Sequence, residues 1–243
     1  MLTRLRRPSS VIAIVAAVLV LVVGVGNVVI KHVAEGRIAH LANCRLKATG
    51  PVNASLPGTF AGLGAVFGNV GDVRVSADGV ERDGVTAHVD AVLHGVTTGG
   101  AISGGTAVAT APYSGMTQQL IQMSGLTDPS MADEGSGLVI TGSRSGIPVA
   151  VHASISASPD RFTITPTTVT VFGHESSVAS LKSIPLIKDL TSQLDPKVFA
   201  LPDLPNGAVL TAVRPTASGL SLDFSVPKQS ASKAATVCPA TTG

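Results

Sequence analysis

Tryptophan is missing from this chain of 243 residues, tyrosine occurs once, and aromatic residues together make up 3% of it. Any core is therefore built from Val, Ala, Leu and Ile. The large rigid side chains that anchor many protein interfaces, or stack on nucleic-acid bases, are scarce. Charge is thin as well, at 13% of residues, about half the usual share of a soluble domain. Three of the 17 basic residues, Arg4, Arg6 and Arg7, precede an apolar run, and the remaining 14 face 15 acidic ones, a net charge of −1. No Lys/Arg cluster is left to follow a phosphate backbone, so nucleic acid is not an expected partner. Two cysteines are too few for a multi-bridge framework or a Cys-rich zinc site.

Catalytic signatures are also absent. The serines of GSRSG at 142–146 stand at the wrong offsets for a nucleophile elbow, in what reads as a hairpin turn. No phosphate loop or dinucleotide fingerprint occurs. His174-Glu175 opens like a zinc-protease motif, yet Val178 stands where the second histidine belongs, which leaves a strand-end loop as the reading. His88, Asp90 and His94 share one strand face, but alternate residues lie about 7 Å apart along a strand, so the face reads as solvated rather than metal-binding. The expectation is a protein that is not an enzyme and needs no metal or cofactor.

What is present begins with a membrane signal. Val11 to Ile30 are twenty residues without a formal charge and with one amide, Asn27. A helix rising about 1.5 Å per residue carries such a run across roughly 30 Å, the thickness of bilayer hydrocarbon. The arginines ahead of it place the N-terminus in the cytoplasm. Residues 1–10 are then a cytoplasmic basic end, 11–30 a single-pass anchor in the inner (plasma) membrane, 31–227 a domain in the periplasm or cell envelope, and 228–243 a small polar tail. A cleavable signal peptide is the competing reading and would leave the same domain secreted. Its apolar region is usually only about 7 to 15 residues long, and the best cleavage site here, Gly24-Val25-Gly26, is poor. Cys44 and Cys238 lie near the two ends of the external domain, as a disulfide in an oxidising compartment or as two thiols. A bridge would remove around 5 kcal/mol of unfolded-chain entropy.

Beyond the anchor, Val33, Ala34, Ile38, Leu41 and Ala42 keep helical spacing until Gly50-Pro51. The period then changes to two. Val73, Val75 and Ala77, then Val85, Ala87, Val89, Ala91 and Leu93, alternate with mostly polar residues. So do Val149 to Ala157, Phe162 and Ile164 after Ser158-Pro159-Asp160, and Leu220 to Val226 after a hairpin turn at Thr216 to Gly219. Short turns between strands mean antiparallel pairing, in a sheet of about seven or eight strands. Two helices interrupt it: 114–124, with Met116, Leu120 and Met123 on one stripe, and 178–194, kinked at Pro185.

A sheet with one aliphatic face must be covered by helices, a second sheet or a ligand. Short helices leave part of such a face open, which points to an apolar groove for an acyl chain. The alternative is a sheet curled around a dry core, in a non-enzymatic envelope scaffold that binds a partner protein through a sheet edge.

The basic N-terminus and apolar segment, the AEGRIAHLA helix, the block GNVGDVRVSADGVERDGVTAHVDAVLHGV and the closing LPDLPNGAVLTAVRPTASGLSLDFSV together resemble the LmeA-like family of actinobacterial (mycobacterial) cell-envelope phospholipid-binding proteins, over about residues 31–226. The resemblance implies an α+β, mostly β fold: a long curved antiparallel sheet wrapped around one or more helices, similar to tubular lipid-binding domains. It implies phospholipid in the apolar interior, phosphatidylinositol-type lipids included, in support of envelope lipid or lipoglycan maintenance. SLPGTF at 55–60 departs from the aromatic-bearing segment expected there. The acyl-chain groove is expected to be lined by Met116, Leu120 and Met123 from the helix and by Val151, Ile155, Phe162, Ile164, Leu222 and Phe224 from the sheet.

Overall fold

The computed structural model describes residues 48–58, 67–82, 84–116, 126–183, 194–201 and 207–230, with the single positions 35, 36, 38, 39, 64, 121 and 204. The expected anchor at 11–30, both cysteines, Leu120 and Met123 lie outside the described residues. Among the described residues no helix is long and apolar enough to cross a membrane.

The alternating segments form two antiparallel six-stranded sheets rather than one. Sheet one runs in the order β1 (Val52–Ser55), β2 (Asn69–Arg82), β3 (Val85–Thr97), β4 (Gly104–Ala111), β12 (Gly219–Val226) and β11 (Val209–Thr216). Sheet two runs β10 (Lys197–Ala200), β8 (Arg161–Val171), β7 (Ile147–Ser158), β6 (Gly137–Arg144) and β5 (Thr127–Glu134). Its sixth strand, β9 (His174–Ser177), shares the outer edge of β8 with β10. Among the described residues neither sheet closes on itself. The single-sheet expectation fails because several strands carry weak signals. In β5 the sequence TDPSMADE holds a proline and three acids, and in β4 the alternating residues are only glycine and alanine.

Of the helices expected against the sheet, most of 31–46, of 114–124 and of 178–194 lies outside the described residues. Helix α1 is short, Val178–Lys182, with the Ser177 hydroxyl accepting the Ser180 N–H at its start and Ser183 at its C-cap. Ending there keeps it clear of Pro185, whose ring disfavours helix in the residue before it. His174-Glu175 lies in β9 rather than in a loop, because the end of β8 has an edge free to pair: Val171 opposes His174 and Thr168 opposes Ser177.

The turns at 159–160 and 217–218 join the strands expected of them. Two further hairpins turn on Ser145-Gly146 (φ +52° and +79°) and Phe172-Gly173 (φ +49° and +78°). Both central residues are left-handed, the geometry that matches strand twist. Serine tolerates this conformation, but at a bulky residue such as Phe172 it costs about 1–2 kcal/mol.

The sheets meet where β11 lies against β5, β6 and β7. The Leu210 N–H donates to the Pro159 carbonyl at 2.9 Å, which ties sheet one to the β7–β8 turn, and the Leu201 N–H just after β10 donates to the Asp160 carbonyl of the same turn at 2.8 Å. Around this junction Phe162, Leu210, Val213, Leu220 and Leu222 are buried together. The Phe162 ring stacks on Phe199 at 4.9 Å between centroids. A second, smaller cluster of Leu56, Val70 and Val73 closes the far end of sheet one, with Ile38 packed on it.

Candidate functional site

Residues directly opposed across an antiparallel pair share a face, so register alone lays out the aliphatic side of sheet one. One row reads Val52, Ala77, Val89, Ala109, Leu222, Val213 from β1 to β11. Its neighbour reads Ala54, Val75, Ala91, Ala107, Phe224, Leu210, and a shorter row reads Val73, Leu93, Gly105, Val226.

Burial along these rows is uneven. Val73 and Ala77 on β2 are buried, and so are Leu222 and Val226 on β12, whereas Val75 and Phe224 in the middle row are half-buried. Between them Val89, Ala91 and Leu93 on β3 and Gly105, Ala107 and Ala109 on β4 are only half-buried. The middle of the face is thus a strip whose β4 half is made of the smallest side chains, beside the bulk of Leu222 and Phe224. Gly105 cannot be enlarged, since a Cβ there would sit 2.3 Å from the Val92 carbonyl oxygen.

Sheet two has its own aliphatic face. Val149, Val151, Ala153, Ile155 and Ala157 of β7 oppose Val171, Val169, Pro166, Ile164 and Phe162 of β8, and a bulge after His152 keeps both sets on one side. Met116, Ile155, Phe162, Ile164, Leu222 and Phe224, all expected in the groove, come together at the junction: Phe162 and Leu222 within the buried cluster and the other four packed against it. Val151 lies on the same face of β7 as Ile155. Leu120 and Met123 cannot be placed. The β3–β4 strip was not among the expected lining residues, although the alternation of 85–93 marked its β3 half.

The opposite side of sheet one is polar. His88 Nδ1 lies 2.5 Å from Asp78 Oδ1 and its Nε2 lies 2.9 Å from Asp90 Oδ2, while His94 Nδ1 lies 3.2 Å from Asp72 Oδ2. The hydrogen bond that His88 donates to the Asp78 carboxylate raises its pKa above the ordinary value, partial burial opposes the rise, and Asp90 adds to it. With carboxylates on both ring nitrogens, His88 is engaged as an ion-pair partner. Among the described residues no group of three or more His, Cys, Asp or Glu side chains is placed to hold a metal ion. A recess of about 440 Å³ opens between β1 and β2, lined by Pro57, Gly58, Gly64, Asn69, Val70, Gly71 and Asp72, and involves none of the nine residues expected to contact lipid.

Among the described residues this arrangement offers two aliphatic faces that meet at the junction. A family model described as LmeA-like phospholipid-binding matches residues 25–225 of the chain. No curated protein and no solved structure matches it.

Proposed function

Because the chain belongs to the LmeA-like phospholipid-binding family, we propose that it seats the acyl chains of a phospholipid on the half-open strip of β3 and β4, continuing toward the junction with sheet two. The observation that carries this reading is the row structure of sheet one: two of its three aliphatic rows are buried on β2 and on β12 and left half-open between them, and the middle row is half-open on β2, β3, β4 and β12 alike. A chain laid along the strip removes its own methylenes and the strip from water together. Each methylene buried contributes about 0.8 kcal/mol, so acyl chains bind without a charged headgroup clamp. The alanines and glycine of β4 supply depth for the chain, and the headgroup stays at the solvent side. Nothing in this action makes or breaks a bond, so the protein acts by binding rather than catalysis.

The same proposal places the domain on the outer side of the inner membrane, in the periplasm or envelope, tethered by residues 11–30. Its support is the uncharged run behind Arg4, Arg6 and Arg7. Phosphatidylinositol-type lipids and a part in envelope lipid or lipoglycan maintenance belong to it too, with the family resemblance as their support.

Organic extraction of the purified full chain followed by mass spectrometry tests the reading. About one phospholipid per chain is expected, since the strip is two strands wide and strands lie about 4.8 Å apart. Recovery of no stoichiometric lipid overturns it.

A further inference from the structure

One end of sheet two carries features that packing within the fold does not account for. Phe172, at the left-handed position of the β8–β9 turn, is 68% exposed, and Ile147, which follows the β6–β7 turn, is 37% exposed. Val149 pairs with Val171, Val171 with His174, and Arg144 with Ile147, so the two turns stand side by side at the same end. The turn residues Ser145-Gly146 and Phe172-Gly173 carry no charge. An asparagine before the glycine is the usual choice for such a turn. A phenylalanine there brings both backbone strain and a wetted ring.

Behind this tip the aliphatic face of sheet two runs without a break. Ile147 leads to Val149 and Val171, then to Val151 and the buried Val169, across the bulge to the buried Ala153 and to Pro166, then to Ile155 and Ile164, and ends at Phe162 and Phe199 in the junction cluster. From Ile147 to Ala157 along β7 this lane covers about 33 Å at roughly 3.3 Å per residue.

We propose that the tip formed by Phe172 and Ile147 enters the headgroup–hydrocarbon boundary of a phospholipid bilayer, and that lipid passes there between the bilayer and the aliphatic faces. The passage rests on the lipid-binding reading above, whereas the contact itself rests on the geometry of the tip. A bilayer fits better than a protein partner. Two exposed apolar side chains, one in a turn and one beside a turn, fall well short of the roughly 1,000 Å² of matched surface that a specific protein interface needs. A bilayer accepts apolar side chains singly, with no complementary shape.

The chain has no tryptophan, so Phe172→Trp introduces a sole tryptophan at the tip, read with excitation that spares tyrosine. Val198→Trp serves as the control, because Val198 is 59% exposed on β10, which pairs with the other end of β8. In the full chain reconstituted with phosphatidylcholine bilayers bearing brominated acyl chains, emission from the Phe172→Trp variant is expected to fall about twofold or more. The Val198→Trp control should stay unquenched. Equal quenching at both positions, or none at the tip, overturns the proposal. As a second measurement, Phe172→Asn is expected to keep its bound lipid and its fold while slowing transfer of fluorescent phosphatidylcholine to acceptor vesicles about fivefold. An unchanged transfer rate overturns the passage. A wild-type chain without bound lipid would defeat the proposed lipid seat and still leave the quenching result to decide the contact.

Discussion

Val89 and Val213 lie in one residue row of sheet one and share a residue type, a secondary structure and a strand face, yet only Val213 is buried, at 9% exposure. The difference lies in what stands opposite each. β11 lies on sheet two and delivers Val213 to a cluster with Phe162 and Leu222, whereas β3 occupies the middle of the sheet, where its valine stays half-buried. Alternation decides which side chains share a face. Contacts far apart in sequence decide whether that face is core or surface, and here they complete one part of it and leave the other half-buried.

The sharpest way to break this comparison is to truncate one residue from each region. Phe162→Ala should cost about 3–5 kcal/mol and lower Tm by roughly 10 °C, as read by thermal unfolding. Val89→Ala should cost about 1 kcal/mol or less because its site is incompletely packed, while lowering the lipid retained after purification. Equal losses of stability would mean that the strip is core after all.

Filling the strip is the converse test. Ala107→Leu adds three carbons where alanine is half-buried, so stability should change by no more than about 1 kcal/mol, and bound phospholipid by mass spectrometry should drop several-fold. A loss of about 3 kcal/mol instead would indicate a floor that is already closed.

A smaller effect is expected at the tip, far from either region. Phe172→Asn replaces a strained aromatic by a residue that accepts left-handed backbone, and should stabilise the fold by about 1 kcal/mol. For a chain of this size that is a rise of about 2–4 °C in Tm.

The smallest effect belongs to the polar face. Because the carboxylates of Asp78 and Asp90 raise the folded-state pKa of His88, its contribution to stability is complete below the unfolded value of about 6.5. It is lost as pH rises through the folded value. Tm should therefore decline slightly over that interval in the wild type, and His88→Gln should remove the decline. The ion pairs are exposed, so the difference stays under about 1 kcal/mol.

Much of the strand pattern was legible in the sequence. The alternation at 73–77, 85–93, 149–157 and 220–226 marks strands at the places where β2, β3, β7 and β12 stand, and the turns at 159–160 and 217–218 were readable from their proline, glycine and serine. The division into two sheets was not legible, because it depends on β4 pairing with β12 across more than a hundred residues and on β11 crossing to sheet two. Short strands such as β9 and β10 carry too few residues for a period to register. Within the candidate site, bulky Phe162, Ile164, Leu222 and Phe224 announced themselves by hydrophobicity. Gly105, Ala107 and Ala109 did not, since a residue whose role is to be small leaves little trace on any hydrophobic scale. The turn at Phe172 was missed for a related reason: phenylalanine is not a turn former, and only the backbone geometry shows it serving as one.

Photocrosslinking with a phosphatidylcholine carrying a diazirine in one acyl chain, followed by peptide mass spectrometry of the full chain, tests most directly where hydrocarbon lies. Adducts concentrated on β3, β4 and β12, and diminished by Ala107→Leu, are the predicted result. Adducts confined to residues 11–30, with β3 and β4 unlabelled, would contradict it.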